Sequence, residues 1–151
     1  MEPRKISDFI DRLIHVEGID FPELVLRPDS LECEIGQGKL ILQPAEFALF
    51  WMLAIRCKHS LPPIRGISSL LEEFKAFSSS VSSAVMPEIN SPANFADFTE
   101  NEVMRAIETL SAKISSVISD GQGLEYILPG KGNSSFSLIM PSSKIFCPRN
   151  Y

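Results

Sequence analysis

A chain of 151 residues fits one domain and is long enough to bury a core of its own. Its 44% apolar and 22% charged residues describe an ordinary folded domain, and its longest apolar run falls far short of the roughly 18 residues that would cross a bilayer. The formal charge of −5 argues against a broadly basic nucleic-acid surface, although a local basic patch remains compatible with it.

No apolar signal core follows the opening Met1-Glu2-Pro3-Arg4-Lys5, which predicts a cytoplasmic protein. Residues 6–16 place Ile6, Phe9, Ile10, Leu13 and Ile14 at helical spacing, so residues 1–22 read as a helical leader. Such a helix buries nothing alone and needs the rest of the domain or a neighbour to pack against.

The main domain is expected over 23–147. Leu24–Arg27 reads as a strand, broken by Pro28-Asp29-Ser30. Leu31, Cys33 and Ile35 alternate on one face of a second strand. Gly36-Gln37-Gly38 then turns the chain into a third strand at Lys39–Leu42, completing a β-meander. Gln43-Pro44-Ala45-Glu46 opens a helix over 44–57. Pro44 has its φ already helical at the first position, and Glu46 sits at the positive end of the helix dipole. The nine apolar residues Phe47–Ile55 predict that this helix is buried.

His59–Gly66 reads as a loop and 67–77 as a helix with Ile67, Leu70, Leu71, Phe74 and Phe77 on its apolar side. Residues 78–95, with a serine cluster, Pro87 and Pro92, are expected to form an irregular insertion. Thr99 and Glu102 form a capping-box pair, since each side chain can satisfy the other's backbone N–H. Apolar residues at Val103, Ile107, Leu110, Ile114 and Val117 extend that start into a helix over 99–119, on the order of 30 Å long. Two strands at 124–129 and 134–140, around Gly130-Lys131-Gly132-Asn133, predict a closing hairpin. The fold class that follows is α+β: a winged helix-turn-helix-like domain with an N-terminal β-meander and a C-terminal β-hairpin wing at 124–140.

Residues suited to chemistry are sparse. Cys33, Cys57 and Cys147 match neither a disulfide framework nor a zinc spacing, and His15 and His59 are isolated, so no metal or cofactor is expected. Gly130-Lys131-Gly132-Asn133 lacks the Ser/Thr and the following helix of a phosphate-binding loop. Glu72, Glu73, Asp97 and Glu100 lie on polar faces without a group to tune them, and no Gly-x-Ser-x-Gly elbow is present. No catalytic residue is assigned. Arg105, Lys113 and Lys131 are the candidates for nucleic-acid contact on the long helix and wing. Against them, residues 98–145 carry four basic and five acidic residues, where a DNA-reading helix and wing normally hold a basic surplus. The apolar faces at 6–16 and 47–54 are covered either by one self-sufficient core or by a partner domain or second copy.

The chain resembles the C-terminal domain of the CRISPR-associated ring nuclease family of type III systems. The residues carrying the resemblance are Ile6-Ser7-Asp8-Phe9 and Leu24-Val25-Leu26; Leu40 through Leu49; the helix around Met104–Ile118; and Tyr126–Gly132 followed by Ser135–Ile145. In that family a Rossmann-like CARF domain precedes a winged-helix-like domain and holds the cyclic-oligoadenylate site. The strand–helix repeat of a CARF domain is missing here, so no ring-nuclease residue carries over. The resemblance implies a non-catalytic accessory or regulatory module in antiviral defence, contacting a CARF domain or itself. In its meander, its Leu-x-x-x-Glu helix entry at Leu42–Glu46 and its final hairpin the chain also resembles the winged-helix effector domain of response regulators; the fold itself motivates the alternative, a DNA-binding transcriptional regulator using the helix at 99–119 and the wing at 124–140.

Overall fold

Leu24, Leu26, Cys33 and Ile35 are all buried, and that shared face turns the N-terminal alternation into a sheet. The computed structural model describes residues 23–36, 38–59, 61–81, 98–117, 135, 136, 138 and 142–147. The expected leader at 1–22, residues 82–95 of the expected insertion, the first strand of the expected wing and Lys131 lie outside the described residues.

Strands β1 (Leu24–Arg27), β2 (Glu32–Ile35) and β3 (Gly38–Ile41) pair antiparallel as the predicted meander. The third strand sits one residue earlier than expected. Ile35 pairs with Gly38, Gly36 takes φ +59° in the tight connection, and Leu42 leaves the ladder to bury itself. Its N–H donates to the Leu31 carbonyl at 3.0 Å. Leu31 adopts φ +58°, in the left-handed region where the Cβ crowds the backbone carbonyl at a cost of about 1–2 kcal/mol. Its buried side chain offsets this, since burying a leucine contributes about 1.5–3 kcal/mol.

Helix α1 (Pro44–Lys58) follows. Every residue from Glu46 to Ala54 is buried, so α1 has no solvent face over two turns and forms the centre of the domain. Trp51 anchors it, meeting Phe47 and Phe77 edge-on at ring centroid distances of 6.0 and 5.3 Å. The connection after α1, expected as plain loop, contains the two-residue strand β4 (Ile64–Arg65). Helix α2 (Ile67–Ser80) runs three residues past its predicted end at 77. The serines expected to open the insertion extend the helix instead: the Ser78, Ser79 and Ser80 hydroxyls donate to the carbonyls of Phe74, Ala76 and Phe77 at 2.7–3.0 Å.

Helix α3 (Glu100–Val117) starts with the predicted capping box: the Thr99 N–H donates to Glu102 Oε1 at 3.0 Å, and the Glu102 N–H to Thr99 Oγ1 at 3.3 Å. Val103, Ile107, Leu110 and Ile114 are buried, as their spacing predicts. Beyond α3, β5 (Ser135–Phe136) pairs antiparallel with β4, Ile64 opposite Phe136. After a 3₁₀ turn at Ser142–Lys144, β6 (Ile145–Phe146) lies parallel beside β1, giving a four-stranded sheet ordered β3-β2-β1-β6. The described protein is thus α+β, with a three-stranded antiparallel meander, a parallel fourth strand and three helices over one contiguous apolar core.

Candidate functional site

The junction into α1 decides where charge is available on this domain. Glu46 Oε1 accepts the Gln43 N–H at 2.8 Å, which caps the helix from its third position. The same oxygen accepts Lys113 Nζ from α3 at 2.6 Å. The Glu46 side chain is 6% exposed and that of Lys113 34% exposed, so the pair sits at the edge of the core and ties α3 to the start of α1.

This geometry sorts the three cations expected on a nucleic-acid surface. Lys113, a third exposed at the edge of the core, is paired with Glu46. Arg105 is exposed on α3. Lys131 lies outside the described residues. With Lys113 neutralised, the exposed side of α3 presents Arg105 against Glu100, Glu102 and Glu108. Glu102 serves as the cap, and Glu100 accepts the Ser68 hydroxyl at 3.2 Å.

Elsewhere the same habit recurs. Arg56 reaches Glu73 at 3.4 Å and the Pro62 carbonyl at 2.8 Å, and Lys58 donates to the Ile145 carbonyl at 2.6 Å, pinning β6 to the end of α1. On the outer sheet face Arg27 bonds Glu34 and lies 3.6 Å from Glu32, while Lys39 lies 3.2 Å from Glu32. The Arg27 guanidinium holds the Glu34 carboxyl below its ordinary pKa, and Arg27 is raised in turn.

A cleft of about 290 Å³ opens between α1 and α2, walled by Met52, Ile55, Leu61 and Phe77 with the Arg56–Glu73 pair at its rim. These walls are apolar, and the rim charges compensate each other. The three cysteines are free thiols. Burial pushes the Cys33 thiol up to about 12, with the Glu34 charge adding to it, so at neutral pH it is a packing residue rather than a nucleophile. Burial also raises Cys147, partly countered by Lys58. Among the described residues no His, Cys, Asp and Glu gather as a metal site, and no helix is long and apolar enough to cross a membrane.

Sequence reading missed the Glu46–Lys113 bond because the partners are 67 positions apart. The one local signal was Lys113 beside buried Leu110 and Ile114, at the margin of the apolar stripe. No family model, curated protein or solved structure matches this chain.

Proposed function

We infer that this chain is a winged-helix-like accessory or regulatory domain of a CRISPR-associated protein in antiviral defence, acting through contact with a CARF domain or with itself and performing no chemistry of its own. The connectivity supports the fold assignment. A helix, a short strand, two further helices and a strand that returns to pair with the short one is compatible with a winged helix, and α1-β4-α2-α3-β5 runs in that order. The observation carrying the functional reading is the pairing of Lys113 with Glu46. A helix that reads DNA needs free outward cations to displace counterions, and here one of the two basic residues of α3, Lys113, is paired with Glu46.

Size-exclusion chromatography with light scattering tests this, on the chain alone and mixed with a CARF-bearing protein from the same locus. Self-association or co-elution is expected, and a strict monomer that ignores that protein overturns it. The DNA-binding reading keeps one observation in its favour, the exposure of Arg105 on α3. Titration with duplex DNA at several salt concentrations separates the two. Binding that weakens steeply with salt and is lost in Arg105→Ala and Lys131→Ala supports the regulator, and no binding at low salt ends it.

A further inference from the structure

The outer face of the four-stranded sheet is unusual in matching its own reverse. Register places two rows of side chains on it. One runs Phe146, Val25, Glu34, Lys39 across β6, β1, β2 and β3; the other runs Arg27, Glu32, Ile41 across β1, β2 and β3. Positive charge therefore lies on β1 and β3 with negative charge on β2 between them. The face is electrically neutral although the chain carries −5. Two large apolar side chains stand exposed at its margins, Ile41 at 70% and Phe146 at 45%.

We propose that this face is a self-association surface whose occupant is the same face of a second copy of the chain, a proposal that rests on the self-contact branch of the reading above. A twofold axis parallel to the strands and passing between β1 and β2 sets β2 over β1 of the partner and β3 over its β6. Glu32 then meets the second copy's Arg27, and Arg27 meets its Glu32. The Lys39 stem comes over the second copy's Phe146, and Ile41 stands one step further along β3, at the margin of the contact. An isologous contact requires this self-complementarity, and a charge pattern of one sign would forbid it. Aligned sheets pack face to face in this manner. The area sets the strength: four short strands present on the order of 250 Å² of flat face, well below the roughly 800 Å² per partner of a stable interface. The dimer is accordingly weak and reversible when nothing else holds the copies together.

Sedimentation velocity on the full chain, from micromolar to near-millimolar concentration, reads this directly. Wild type is expected to associate reversibly, and Ile41→Lys to weaken association at least about tenfold. The sharper arm uses charge reversal. Arg27→Glu and Glu32→Arg each make a homodimer repulsive and are expected to be monomeric, whereas their equimolar mixture restores both opposite-charge contacts between the copies and associates at least as well as wild type. Circular dichroism melts confirm that the variants, all altered on an exposed face, remain folded. Three results overturn the proposal: a wild type that stays monomeric throughout, association that Ile41→Lys and both charge variants leave unchanged, or a mixture that fails to associate. Association through another surface, or loss of CARF-protein binding in Arg27→Glu with no self-association in wild type, sinks this surface assignment while sparing the contact-domain reading. A monomer that also ignores the CARF protein sinks both.

Discussion

Helices α1 and α3 begin with the same device and use it differently. In each, a glutamate at the third helical position accepts the backbone N–H of the residue before the helix, Glu46 from Gln43 at 2.8 Å and Glu102 from Thr99 at 3.0 Å. Glu102 is exposed, and its bond concerns only its own helix. Glu46 is buried and also holds Lys113, so its carboxylate joins two helices. Local sequence chemistry sets the cap, and tertiary burial sets how much depends on it.

The two ends of the Glu46–Lys113 pair are not equivalent, and the largest effect should come from the more exposed end. Lys113→Ala strands a carboxylate that is 6% exposed, and an uncompensated buried charge costs about 3 kcal/mol. Glu46→Ala frees a lysine already 34% exposed, whose ammonium can turn to water. The loss is then the cap and one charged hydrogen bond, about 1.5–2 kcal/mol. Urea unfolding at pH 7 checks the order. Equal losses, or a larger loss for Glu46→Ala, would show that the carboxylate is better solvated than its burial indicates.

The exposed cap supplies the contrast. Thr99→Ala should reduce stability by about 1 kcal/mol and Glu102→Ala by about 0.5 kcal/mol. Added salt should shrink the Glu102 effect proportionally more than the Lys113 effect, because exposed charges are screened more than partly buried ones. Unfolding curves at low and high sodium chloride for both variants test this, and parallel salt responses would erase the distinction between the two helix starts.

What the sequence made legible follows the same division. Period-two alternation at Leu24–Arg27 and Glu32–Ile35, Pro44 at the start of α1 and the Thr99/Glu102 pair are local patterns that appear where expected, except that Leu31, expected to open the second strand, stays in the turn at φ +58°. Strands β4, β5 and β6 are two residues each, too short to carry a period, and exist only because distant partners meet: Ile64 with Phe136, Leu24 with Ile145. The serines at 78–80 look like loop formers, since their hydroxyls compete for backbone groups. Here they close onto helix carbonyls one turn back. Lys113 had the composition of a phosphate contact and the position of a core tether, and only the fold could bring it to Glu46.

The smallest expected effect lies on the sheet face, where charge pairs resemble Glu46–Lys113 in chemistry and lack its burial. Arg27 hydrogen-bonds Glu34 and lowers its pKa, so folding favours the ionised carboxylate. A depressed folded-state value means the unfolded chain binds the proton more tightly. The contribution is therefore full above the ordinary carboxylate range and is lost as pH falls through the lowered pKa of Glu34. Arg27→Ala should remove that acid-side slope by losing a small stability increment at neutral pH, small because an exposed pair in water is heavily screened. Urea midpoints for wild type and Arg27→Ala, followed from neutral pH into the acid range, should converge as Glu34 protonates. If they stay apart by a constant amount, Arg27 acts through packing over the sheet rather than through its charge. A face built on that packing could not be inverted by charge reversal, and the same measurement therefore bears on the twofold contact between copies.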